Sequence, residues 1–65
     1  MPLNPSKVRA RREKLKLTQQ QAAKAAGLLR PNWARIESGN HTDPNLSTAQ
    51  RIAEALKCSL AALVD

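Results

Sequence analysis

The stretch Gln19–Ser38 reads Gln-Gln-Gln-Ala-Ala-Lys-Ala-Ala-Gly-Leu-Leu-Arg-Pro-Asn-Trp-Ala-Arg-Ile-Glu-Ser, and it decides the fold. Ala22, Ala23 and Ala26 fall on one helical face, at spacings of one, three and four. Gly27 ends that helix, because a residue without Cβ enters the left-handed region without penalty. Trp33 and Ile36 then form the inner stripe of a second helix. Small residues on the first helix and large ones on the second suit two short helices crossed over a tight turn, with the second pushed outward.

Outward from this stretch, the signals remain helical. β-Branched residues are few and no apolar run alternates, so the chain is read as all-α. Ser6 is expected to cap a helix over about Lys7–Lys16, with Val8 and Leu15 seven apart on its inner face and Arg12 between them. Arg11, Lys14 and Lys16 are expected in solvent. Thr18 caps the next helix, and Gln21 three residues later completes a capping-box pattern. That helix runs to about Ala26. The following one spans about Arg30–Glu37 and stops before Gly39. A polar loop, 38–44, leads to Asn45, a good cap for a helix over about Leu46–Leu56. That helix places Ala49, Ile52, Ala53 and Leu56 on one face, with Thr48 in its first turn. Ser59 caps a last short helix holding Leu60, Leu63 and Val64. Residues 1–5 are expected to be a loose arm.

A chain of 65 residues holds one small domain, here residues 1–65, and has no room for a deep substrate cavity beside a core. There is no Phe or Tyr and a single Trp. The expected core is therefore Val8, Leu15, Ala22, Ala23, Ala26, Leu28, Trp33, Ile36, Leu46, Ile52, Ala53, Leu56 and Leu60. Cys58 is the sole cysteine, which excludes an internal disulfide and suits a small core side chain. No apolar run approaches the roughly 20 residues of a membrane span. Nothing at the N-terminus has signal-peptide length, so a cytoplasmic protein is expected.

Charge is unevenly distributed. Up to Arg35 there are nine basic residues and one acidic, a balance of +8; from Ile36 onward there are two basic and four acidic, a balance of −2. A basic first half with a neutral or acidic back suits a polyanion, nucleic acid before membrane. His41 stands alone in its loop, with no second His or paired Cys for a metal site. No nucleophile–base set and no phosphate-cradling glycine loop is present, so neither enzyme activity nor a cofactor is expected.

Taken together, Leu17-Thr18-Gln19, Ala22-Ala23, Gly27, Ile36-Glu37-Ser38-Gly39, Pro44-Asn45-Leu46, Ile52-Ala53-Glu54-Ala55-Leu56 and Ser59-Leu60 resemble the Cro/cI-type (Xre) helix-turn-helix family of phage repressors and bacterial regulators. The resemblance covers about Val8 to Leu63. It implies a lambda-repressor-like domain of five short helices with its helix-turn-helix over about residues 18–38. It also implies sequence-specific binding of double-stranded DNA in transcriptional control, as a repressor and often as a homodimer. By that likeness Gln19 contacts the DNA backbone, and Thr18 opens a helix whose free N–H groups hold phosphate. Ser38, Asn40 and Thr42 are phosphate contacts in the following loop. Arg12 and Glu37 form an ion pair that pins the first helix to the third. Leu60, Leu63 and Val64 are candidates for a dimer interface.

The outer face of the third helix carries the candidate base contacts Arg30, Asn32, Ala34 and Arg35. Arg grips guanine O6 and N7 with two prongs, Asn does the same with adenine N6 and N7, and Ala suits a thymine methyl. Two departures from the family pattern stand out. Leu29 replaces the usual Ser or Thr cap, and Pro31 biases Arg30 toward an extended conformation. Ala22 and Ala26 stand where larger residues are usual, with Trp33 expected to fill the space from the opposite helix. A second reading therefore stays open: a protein–protein module, such as an antitoxin or adaptor, that keeps the fold with weak or no DNA binding.

Overall fold

Four α-helices and one 3-10 turn, rather than five short α-helices, build the described part of the chain: α1 (Pro5–Lys14), α2 (Gln19–Ala25), α3 (Arg30–Ser38), α4 (Leu46–Ala55) and a 3-10 turn at Leu60–Leu63. The structure is a computed structural model and describes residues 2–40 and 44–64. Thr42 and His41, both singled out in the sequence, lie outside them.

All four helices end in the same way. At each, a residue just past the helix donates its N–H to the carbonyl five positions back: Leu17 to Arg12 at 3.2 Å, Leu28 to Ala23 at 2.8 Å, Asn40 to Arg35 at 3.0 Å and Cys58 to Ala53 at 3.1 Å. The residue before it takes a left-handed turn: Lys16, Gly27, Gly39 and Lys57. This C-terminal motif turns the chain back on itself and brings the following side chain against the helix. Leu17, Leu28 and Cys58 accordingly pack on the core. Gly27 is the more crowded of the two glycine turns, since a Cβ there would stand 3.3 Å from Arg51 Nη1.

Lys57 holds φ +54° with a side chain in its place. A non-glycine residue in this region costs roughly 1–2 kcal/mol, against the roughly 0.5–1 kcal/mol that glycine loses in backbone entropy on folding. Lys57→Gly is therefore expected to stabilise the fold by about 0.5–1 kcal/mol and raise Tm by about 4 °C. Thermal unfolding checks this, and a lower Tm would contradict it.

The core is Leu3, Val8, Ala22, Ala23, Ala26, Trp33, Ile36, Ile52, Ala53, Leu56 and Leu63, with Leu28 and Leu60 half-buried against it. Trp33 has no exposed surface and is the largest fully buried side chain. Six expectations need correction. Residues 3–5 are not a loose arm. Leu3 is buried and bridges antiparallel to Val64, and the Asn4 N–H donates to the Leu63 carbonyl at 2.7 Å. Asn4, not Ser6, caps α1, accepting from the N–H groups of Ser6 and Lys7. Pro5 explains this: its fixed φ suits the first helical position and forces Asn4 into the extended conformation a cap needs.

Leu63 is fully buried, so it offers no surface to a partner, while Leu60 and Val64 are half-buried. Leu15 is not a core residue. The helix stops at Lys14, Leu15 is its half-buried C-cap, and Leu17 reaches the core instead. Leu46 is 63% exposed. Side chains in a helix tilt toward its N-terminus, and in the first turn of α4 that tilt carries Leu46 past the edge of the core. Pro44 is the buried residue there.

Arg11 is also not a solvated cation. Its Nε and Nη2 donate to the carbonyls of Leu56 and Lys57, both at 2.9 Å, tying α1 to the end of α4. Carbonyls at a helix C-terminus lack intrahelical partners and carry partial negative charge, which a guanidinium satisfies on both counts.

Candidate nucleic-acid interface

α2 and α3 pack against each other at their small and large faces, and this presents the remaining face of α3 to solvent. Ala22, Ala23 and Ala26 of α2 are all buried, as are Trp33 and Ile36 of α3. Alanines let the helices approach closely, and the indole of Trp33 occupies the volume they leave. Two turns of α3 are then outward: Arg30, Asn32 and Arg35 are exposed, and Ala34 is half-buried.

α3 starts without a side-chain cap. Leu29 stands at the N-cap position, 71% exposed, and Pro31 occupies the first turn. Proline is tolerated there because its missing N–H would be unpaired in any case. Arg30 is held instead from α2: its Nη1 donates to Gln19 Oε1 at 3.4 Å.

Thr18 and Gln21 form a reciprocal capping box at the start of α2. Thr18 Oγ1 accepts the Gln21 N–H at 3.1 Å and Gln21 Oε1 accepts the Thr18 N–H at 2.9 Å. Ser38 and Asn40 are exposed at the far end of α3. The Ser38 hydroxyl donates to the Arg35 carbonyl at 3.0 Å, which leaves its oxygen lone pairs outward.

A carboxylate ties these pieces together. Glu37 and Arg12 form a two-pronged pair, Nε to Oε2 at 2.7 Å and Nη2 to Oε1 at 3.2 Å, with side chains 4% and 12% exposed. Arg12 Nη1 also donates to the Leu17 carbonyl at 2.7 Å, so the guanidinium braces the α1–α2 turn as well. Glu37 further accepts from the Trp33 indole N–H, and from Gln19 Nε2 at 3.4 Å. Burial pushes the Glu37 carboxyl upward, but hydrogen bonds from Arg12, Trp33 and Gln19, with the Arg12 charge, outweigh it and hold the group below its ordinary value. The hydrogen bond to Glu37 likewise raises the Arg12 guanidinium.

α1 reaches this face too. Arg9, Arg12, Gln19, Ala34, Glu37 and Ser38 line one shallow hollow between α1, the start of α2 and α3. Arg9 was not among the residues expected here. The available signal was its spacing: Arg9 lies three residues before Arg12, hence on the same side of α1. Arg9 pairs only loosely with Glu13, at 3.5 Å and with both side chains largely exposed. Among the described residues, neither Arg30 nor Arg35 makes an ion pair. No group of three His, Cys, Asp or Glu side chains among them is placed to hold a metal ion. No helix among the described residues is long and apolar enough to cross a membrane.

The profile of a helix-turn-helix family matches residues 8–63. The chain belongs to this family, of Cro/cI type. Among solved structures it is similar to the P22 c2 repressor protein, determined in complex with synthetic operator 9T in the presence of Tl+. The two are 31% identical with a TM-score of 0.88, over 100% of this chain and 97% of that one. No curated protein matches the chain significantly. In helix-turn-helix terms, α2 and α3 are the two motif helices, Gly27 lies in the turn, and α3 is the outward one. Leu3 and Asn4 fall before the matched span, yet they close the domain against Val64 and Leu63.

Proposed function

We propose that this chain is a transcriptional regulator that binds double-stranded DNA sequence-specifically, with α3 in the major groove. The observation that carries this reading is the outward, ion-pair-free face of α3, flanked by Arg9 of α1, in a fold so similar to a repressor solved on its operator. Arg30, Asn32, Ala34 and Arg35 read base edges. Thr18, Gln19, Ser38, Asn40 and Thr42 hold phosphates on either side, and Arg9 joins them. The protein acts at DNA in the cytoplasm, as a repressor by occupying its operator, with no enzymatic step.

Size supports a two-copy arrangement on a palindromic site. The Cα trace measures 24 × 20 × 19 Å, and successive major grooves on one face of DNA lie about 34–36 Å apart. One copy therefore spans one groove, and a palindrome of two half-sites takes a pair of copies.

Binding to a duplex measured across a salt series tests the reading. Each phosphate neutralised steepens the fall of log affinity with log salt by about 0.9, so several contacts give a steep line. Arg35→Ala is expected to weaken binding to the preferred sequence by about 1–3 kcal/mol while leaving random duplexes almost unaffected. Equal losses on both would remove Arg35 from base reading. The exposed Leu29, with Gln20, Lys24, Leu28 and Arg30 around a second hollow, favours the other reading, a protein-docking module. A flat salt response and no duplex binding would select it.

A further inference from the structure

We propose that the Trp33 indole N–H is a positioning donor: acting through Glu37 and Gln19, it sets the orientation in which Arg30 is presented to DNA. This rests on the DNA-binding reading above.

A side chain chosen only for volume does not need a polar atom, and a buried indole N–H needs an acceptor. The acceptor here is Glu37, four residues on and one helical turn away. Rotation of a carboxylate about its last bond is soft, so its two oxygens are placed by the donors around them. Arg12 and Trp33 both donate to Oε2, while Oε1 receives only Arg12 Nη2 and Gln19 Nε2. With the indole fixed in the core, Oε2 is held inward and Oε1 is aimed at Gln19.

Gln19 has the same softness, since its amide can present either end. A carboxylate only accepts, so it selects the amide nitrogen and turns Gln19 Oε1 toward Arg30. Both outer links are 3.4 Å long, the weak part of the chain and the part that depends on the carboxylate angle. Among the described residues the Arg30 side chain makes no other hydrogen bond or ion pair. Four side chains thus run from the fully buried core to the first residue of the reading helix.

At 65 residues the chain is within reach of chemical synthesis. Replacing Trp33 with 3-benzothienylalanine substitutes sulfur for the indole N–H and keeps the ring shape. Three readouts are compared with the unmodified chain: the NMR resonances of the Gln19 side-chain amide, Tm, and the ratio of affinities for the sequence it selects over an unrelated duplex. The expected result is a Gln19 amide shifted toward that of free glutamine and an affinity ratio lower by about fivefold, the low end of what a two-pronged arginine contributes. A folded analogue with an unmoved Gln19 amide and an unchanged ratio would reduce Trp33 to a space filler and overturn the proposal. If the analogue does not fold, the unmodified chain still decides. Its single indole N–H resonance should shift on binding the selected duplex and stay put on the unrelated one, and a stationary resonance on both contradicts the proposal. Should the unmodified chain select no DNA sequence, the functional reading fails, while the Gln19 amide still decides the hydrogen-bond chain.

Discussion

Trp33→Ala is expected to cost about 3–5 kcal/mol, because it empties the largest buried site in the core and Ala22 and Ala26 opposite have no side chain with which to refill it. A folded chain of this length has a total stability of about 3–10 kcal/mol. The variant is therefore largely unfolded at room temperature, or melts at least about 15 °C below the unmodified chain. Circular dichroism against temperature measures this. A melting temperature within a few degrees of the parent would mean that the indole is not what holds α2 and α3 apart.

The second large effect belongs to Glu37. Its carboxylate is almost fully buried and answers three donors. Removing one partner of a buried pair leaves the other charge uncompensated, at about 3–5 kcal/mol. Glu37→Gln keeps an acceptor oxygen, so its cost lies near the low end, about 3 kcal/mol. The loss reaches function as well, because Arg12 and Gln19 both take their positions from this carboxylate.

The sign with pH follows from the direction of the shift. Folding holds the Glu37 carboxyl below its ordinary value of 4.5, so its stabilisation is fully present above that value and is lost as pH falls through the lower folded value. Unfolding free energies of the unmodified chain and Glu37→Gln should therefore differ most near neutrality and converge in acid. Other carboxylates titrate in both chains alike and cancel in the difference. A gap unchanged from neutral pH into strong acid would show that the charge of Glu37 does not support the fold.

Local chemistry was legible in the sequence. The Thr18–Gln21 capping box, the stop at Gly27, the cap at Asn45 and the alanine face of α2 are all written within a few residues of where they act. The outward face of α3 followed from the inward positions of Trp33 and Ile36. Pairings between distant segments were not legible. Leu3 meets Val64 and Arg11 meets Leu56 across more than forty residues, and no periodicity in a short arm or a basic run announces such contacts. Leu63 read as a surface residue because its burial depends on that same N-terminal segment. Leu46 failed for the opposite reason: it fits the stripe of α4, but the core ends before reaching it.

At the candidate interface, the pairing of Arg12 with Glu37 was suggested by family likeness rather than by spacing. The indole donor on Glu37 did have a local signal, since residues 33 and 37 stand four apart on a helix. A tryptophan is read first for its volume, which hides its N–H.

Selection of duplexes from a random-sequence pool by the unmodified chain tests most directly whether α3 reads DNA. Enrichment of a palindromic motif is expected, with half-sites centred about one helical turn apart. The same selection with Arg35→Ala should lose preference at one symmetric base-pair position and keep the rest. A pool that stays random after repeated rounds, or a motif that Arg35→Ala leaves intact at every position, would contradict DNA reading by α3.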